Sequence, residues 1–231
     1  KDHLTMKNLT FKTISGSTEH IGVKLVDDLY SVTKCYLSNL KFFGGFKKAI
    51  SSFKLTGKIE DCYFYRSTLG IQISDRHDLE PVLIQNNIFL GCKNGIRTDY
   101  AIIKNNWLLQ LRSTGLNFSN IFFPTIVYVY NNVVTAESNS SSEGIWRCEL
   151  GEIRNNIISG FKCGIEPYPG ATIKNNVIMN SSVTALKIWQ SEFQADINYN
   201  LFYNNPKISD NLSRFNLDTT IYYTSDPMFE N

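Results

Sequence analysis

The 231-residue chain predicts an all-β fold in which a single strand winds into a parallel β-helix, a solenoid of about nine coils. Three observations carry this expectation. An asparagine pair recurs along the chain, a small residue followed by an apolar one recurs in the same phase, and no segment keeps a helical period.

The pairs are Asn86-Asn87, Asn105-Asn106, Asn131-Asn132, Asn155-Asn156 and Asn175-Asn176. Degenerate copies at Lys7-Asn8, Ser38-Asn39, Asp61-Cys62 and Tyr199-Asn200 extend the series, so the second position returns every 19 to 31 residues. Asparagine suits such a turn because it tolerates the left-handed conformation, and its amide can bond to copies above and below. The second marker opens a strand at Gly22-Val23, Ala49-Ile50, Gly70-Ile71, Gly95-Ile96, Gly115-Leu116, Gly144-Ile145, Gly164-Ile165 and Ala185-Leu186, each 8 to 14 residues beyond an Asn marker. Each repeat holds about three short runs rich in β-branched and aromatic residues, which bury a face only when stacked on their neighbours. Leucine-rich repeats would need regularly placed leucines, a propeller would need longer blades, and helical solenoids would need a 3.6-residue period.

Composition agrees. At 42% hydrophobic and 19% charged residues the chain is globular rather than disordered. A net charge of +2 is too weak for a nucleic-acid partner, and no stretch approaches the 18 apolar residues of a membrane span. Cys35, Cys62, Cys92, Cys148 and Cys163 show no CxxC pair and no metal spacing with the three histidines, which predicts buried free thiols, with one disulfide left open. The whole of 1–231 reads as a single β-helix domain belonging to a longer chain. Residues 209–231 form an irregular C-terminal cap, and the N-terminal cap is expected before Lys1.

The Asn-Asn turns and Gly-Ile strands resemble the pectin-lyase-like superfamily of right-handed parallel β-helices, over roughly residues 4–231. The ending, with Asn200-Leu201-Phe202-Tyr203-Asn204-Asn205-Pro206 and Ser225-Asp226-Pro227-Met228-Phe229, is similar to that of many bacterial extracellular β-helix proteins. The resemblance implies a right-handed coil, an extracellular or cell-surface setting and a polysaccharide partner. It does not choose among lyases, hydrolases, epimerases and non-catalytic surface proteins. The paired-aspartate and His-Gly motifs of polygalacturonase-like hydrolases and the calcium-binding motif of the main pectate lyases are not found, so no catalytic residue carries over.

Alternation along the Gly-Ile strand projects one outward column of Lys24, Ser51, Gln72, Arg97, Asn117, Trp146, Glu166 and Lys187. A second column holds Val26, Phe53, Ser74, Asp99, Ser119, Cys148, Tyr168 and Trp189, with Arg147 breaking the alternation. Aromatic Trp146, Tyr168 and Trp189, with Asn117 and Gln72, suit the faces and hydroxyls of a sugar polymer; equally, the rings could simply cover the sheet. An elimination would need cations such as Arg97 and Lys187 at a uronate, with Lys187 or Tyr168 as base. A hydrolase would need two carboxylates about 5–9.5 Å apart, whereas Asp99 and Glu166 lie three coils, or roughly 14 Å, apart, unless a loop carboxylate such as Asp75, Asp78 or Glu192 completes the pair. The run Asp75-Arg76-His77-Asp78 with Asp99 could form a calcium site, His77 could act as a base, or the run could be a solvated loop. His3 and His20 have no assigned role. The Ser-rich run 137–143 lengthens the coil beside Trp146 and contains the sequon Asn139-Ser140-Ser141. Two function classes follow: an enzyme on acidic polysaccharide, or a non-catalytic carbohydrate-binding or structural surface module.

Overall fold

The computed structural model is described for residues 3–13, 20–25, 33–53, 55–74, 80–118, 126–138, 142–148, 150–168, 170–187, 195–209, 215–217 and 221–223. All regular elements among them are β-strands, arranged in three parallel sheets in which each strand pairs with its counterpart one coil on. Sheet A runs from His3–Lys7 to Phe215–Leu217, sheet B from Thr10–Lys12 to Ile221–Tyr223, and sheet C from Ile21–Lys24 to Thr184–Leu186. The chain is a parallel β-solenoid.

The coil count departs from nine. Sheets A and B are ten strands deep and sheet C eight. Each of the nine sequence markers closes a strand of sheet A, and Phe215–Leu217 and Ile221–Tyr223 add tenth strands where no asparagine announces them.

Two residues at the corner between sheets A and B divide the work that sequence assigned to asparagine in general. The first is left-handed at each of the nine corners among the described residues: Asn8, Asn39, Asp61, Asn86, Asn105, Asn131, Asn155, Asn175 and Tyr199 all have φ between 52° and 58°. The second turns inward and is buried, as at Asn87, Asn106, Asn132, Asn156, Asn176 and Asn200. Asn8 and Asn39 therefore occupy the first position rather than the second; Leu40 follows Asn39 inward and is buried, while Leu9 in the first coil is exposed. Equivalent carbonyls confirm the register: Lys41 N–H donates to Leu9 O, Tyr63 N–H to Leu40 O, Ile88 N–H to Cys62 O and Trp107 N–H to Asn87 O.

The six buried asparagines form a continuous ladder. Asn106 Nδ2 donates to Asn132 Oδ1 at 3.0 Å, to Ile84 O at 3.0 Å and to Lys104 O at 3.1 Å. Its Oδ1 accepts from Asn87 N–H at 2.9 Å and Asn87 Nδ2 at 3.0 Å. The pattern repeats up to Asn200, so every buried amide in the ladder is satisfied by its neighbours. In the earlier coils stacked rings fill the interior instead. Phe11, Phe42, Phe64 and Phe89 lie one above another with centroids 4.8, 5.1 and 4.5 Å apart.

The small-residue marker at the entry to sheet C has a spatial cause. A Cβ on Gly115 would lie 2.4 Å from Gly144 O and 2.5 Å from Val134 Cγ1, and one on Gly144 would lie 2.4 Å from Ile158 Cγ2. The sheet B core side chain fills the corner, so the chain passes only where no side chain is present. Alanine replaces glycine in this column at Ala49 and Ala185, towards the two ends of sheet C.

All five cysteines are buried and unbridged, as their spacing suggested. Burial pushes the thiols of Cys35 and Cys92 up to about 11 and that of Cys62 to about 12, so they remain protonated.

Candidate functional site

The first column projected on sheet C forms in register. Lys24 pairs with Ser51, Ser51 with Gln72, Gln72 with Arg97, Arg97 with Asn117, Asn117 with Trp146 and Trp146 with Glu166. Lys187 follows Leu186, the partner of Ile165, and so completes the row. Inward positions between the columns are core: Ile73, Thr98 and Phe118 are buried.

Side-chain contacts concentrate at the far end of this row. Trp146 Nε1–H donates to Glu166 Oε1 at 2.9 Å, and Lys187 Nζ lies 3.5 Å from Glu166 Oε2. Both carboxylate oxygens are thus engaged, and Glu166 is only 2% exposed. A charged group that far from water is tolerated because a donor and an opposite charge meet it. The pair also holds the indole edge and the ammonium side by side on neighbouring coils.

Arg147 supplies the remaining piece. It is left-handed, with φ of 61°, and the register shifts between Trp146 and Cys148. This is the bulge that the broken alternation suggested. It turns Cys148 inward against Pro167, so Cys148 is buried and leaves the outward column in which alternation had placed it. The extra residue sends the Arg147 guanidinium over the Trp146 ring at 4.8 Å and towards the Tyr168 ring at 5.5 Å. Trp146 and Tyr168 are half-buried rather than open platforms.

The carboxylates differ from expectation in exposure. Asp99 is 7% exposed, and like Glu166 it is covered rather than presented to solvent. Arg97 is exposed, while Gln72, Asn117 and Lys187 are half-buried. Glu143, which the projection passed over, lies on the same strand as Trp146; burial foremost, then the Glu166 charge, pushes its carboxyl above the usual range. Its signal was its position just before Gly144-Ile145, outside the alternation used to choose candidates.

Asp75, His77, Asp78, Asn139, Trp189 and Glu192 lie outside the described residues, as do Val26 and Ser119. Among the described residues no group of three or more His, Cys, Asp or Glu side chains is placed to hold a metal ion. Among the described residues, surface hollows lie elsewhere, such as one of about 560 Å³ lined by Asn180, Ser181 and Asn204 among others and one of about 270 Å³ on sheet A around Tyr36 and Lys58. Among the described residues no helix is long and apolar enough to cross a membrane.

The row on sheet C is therefore a surface strip. Arg97, Asn117, Trp146 with Arg147, Glu166 and Lys187 follow one another at one coil spacing, so the strip spans roughly 20 Å. It offers cations, an amide and partly covered rings, with its one central carboxylate already neutralised. No protein-family model matches the chain, and comparison with curated proteins and with solved structures finds no match.

Proposed function

We propose that the protein binds an acidic linear polysaccharide along the outer face of sheet C. The observation that carries this reading is the in-register row of Arg97, Asn117, Trp146, Glu166 and Lys187, with Arg147 laid across Trp146 and Tyr168. A strip of cations and ring edges repeating at the coil spacing suits a polymer with regularly spaced carboxylates and hydroxyls. In this reading the solenoid is a right-handed member of the pectin-lyase-like class, supported by the paired-asparagine turns and by the general right-handedness of parallel crossovers. An extracellular or cell-surface setting follows from such a ligand.

Binding is favoured over catalysis by Glu166. Its oxygens are held by Trp146 and Lys187, which gives the carboxylate a positioning role and leaves Lys187 engaged as an ammonium. Lyase, hydrolase or epimerase activity remains the second reading, resting on the raised carboxyl of Glu143 beside this cluster, the kind of shift a general acid uses.

A panel of polyuronates and sulfated glycans separates the two. Binding without new reducing ends or unsaturated uronates, weakened about tenfold by Arg97→Ala or Trp146→Ala, is the expected result. Turnover abolished by Glu143→Gln would establish the enzyme instead. Neither binding nor turnover across the panel would overturn both readings and leave a structural role.

A further inference from the structure

The outer face of sheet B lies on another side of the solenoid and has a different character. Its strands bury their second side chain, as at Phe64, Phe89, Leu108, Val134, Ile158, Ile178 and Phe202, so the residues on either side of it point outward. Register stacks the first of these into one row, from Tyr63 through Ile88, Trp107, Val133 and Ile157 to Leu201. Trp107 is 55% exposed, Ile88 41% and Ile157 39%. A second row carries Tyr65, Leu90 and Leu109 before a bulge, and Met179 and Tyr203 after it, interrupted only by Thr135 and Ser159. The seven strands from Tyr63–Tyr65 to Leu201–Tyr203 contain no charged residue. The corner beside them is lined mainly by the left-handed asparagines, with Asp61 at its first coil and Tyr199 at its last, and Arg66 lies over the Tyr65 ring at the opposite edge.

We infer that sheet B is a self-association surface, and that its occupant is the sheet B face of a second copy of this chain in an isologous dimer. Three features favour a second copy over other occupants. First, a contiguous apolar face of this extent is unusual on a soluble monomer and marks a contact surface. Second, from Lys41–Phe43 to Leu201–Tyr203 the face is about 34 Å long, and about 16 Å wide with its turns. That projected area of roughly 540 Å² per partner is the size of a weak, reversible interface. Third, the rows repeat at the coil spacing, so only a surface with the same spacing meets every row. The identical face has that spacing, and its seven strands from Tyr63–Tyr65 to Leu201–Tyr203 carry no charge that would set like against like.

Sedimentation velocity between about 1 and 100 µM, the range over which a moderate interface dissociates, tests this. The expected result is a dimer for the parent chain. Trp107→Glu with Ile157→Glu should raise the dissociation constant on the order of 100-fold, as loss of central apolar anchors does. Trp107→Thr with Ile157→Thr, which keeps strand-forming residues, should weaken the dimer in the same direction, and cooperative melting of each variant reports that the fold persists. Tyr128→Glu, an apolar-to-charged change on sheet A, should leave the dimer intact. A monomer throughout the range overturns the inference, as does a dimer indifferent to the sheet B changes. A monomer that co-sediments with neutral phosphatidylcholine vesicles would overturn it in favour of a lipid surface.

Discussion

The earlier and later coils solve the same corner with different chemistry. Up to the third coil the corner residue is Leu9, Leu40 or Cys62, and the ring stack that starts at Phe11 fills the space below and runs on to Phe89 in the fourth coil. From the fourth coil the corner residue is asparagine, and from the fifth the ring stack gives way to Leu108, Val134, Ile158 and Ile178. Backbone geometry at the corner does not change across this boundary: the left-handed residue keeps its φ and the same carbonyl accepts from the next coil. A parallel solenoid thus needs only that each coil match its two neighbours, so apolar and polar fillings can meet within one core. Cys62 is the junction. Its Sγ approaches Glu60 O at 3.1 Å and Leu37 O at 4.0 Å, where a ladder asparagine would place Nδ2, and its N–H donates to Asn87 Oδ1 at 2.9 Å.

Exchanging the two fillings tests the contrast. The largest effect is expected for Asn132→Leu in the middle of the ladder. It removes the acceptor of Asn106 N–H and Nδ2 and the donor to Ile103 O and Tyr130 O, in a site that leucine closes to water. Chemical denaturation should show a loss of about 5 kcal/mol. Next, Phe64→Ala opens a cavity inside the ring stack and should cost about 4 kcal/mol, with little change in the coils beyond Asn156 by hydrogen exchange. Equal loss of protection across both halves would show that the solenoid unfolds as one unit and would erase the distinction.

At the junction the effect should be small. Cys62→Asn extends the ladder by one rung, and its stability should stay within about 1 kcal/mol of the parent. A cost like that of Asn132→Leu would mean that the early corner cannot take an amide. At the other end of the ladder Tyr199 occupies a left-handed position filled elsewhere mainly by asparagine, and it is well exposed. Tyr199→Asn should stabilise by about 0.5–1 kcal/mol.

The smallest effect concerns Glu143. Its carboxyl is raised in the folded chain by burial and by Glu166, so the folded state holds a proton that the unfolded state has released. Stability should therefore fall as pH rises from the unfolded value of 4.5 through the folded one. Glu143→Gln removes that loss. Its melting temperature should exceed the parent's near neutral pH and converge with it near pH 4.

Sequence carried the periodicity well because the corners admit few residues. Asparagine is chosen by φ and by the ladder, and glycine by the lack of room beside Val134 and Ile158. The row on sheet C could be projected for the same reason, since register is fixed wherever one face is buried. What alternation could not supply was the reach of long side chains. Glu166 is covered through its contacts to Trp146 and Lys187, and Arg147 lies over two rings because a bulge redirects it. The apolar row on sheet B was visible in principle, as the residue after each Asn pair is Ile88, Trp107, Val133, Ile157, Val177 or Leu201. It reads as ordinary strand composition until the pair is known to place that residue outward. The tenth strands were missed because Phe215–Leu217 and Ile221–Tyr223 extend the sheets without either marker.

The ladder has a consequence for acid tolerance. Carboxylates or imidazoles would supply the same donors and acceptors to a buried column, but each would gain or lose charge at some pH and force the interior to rearrange. Carboxamides do not titrate, so the column from Asn87 to Asn200 keeps the same hydrogen bonds from acidic to alkaline solution. The amide column is electrically silent, so among the described residues the interior answers to pH elsewhere: at Glu143 in acid, and at the thiols of Cys35, Cys62 and Cys92 only in strong alkali.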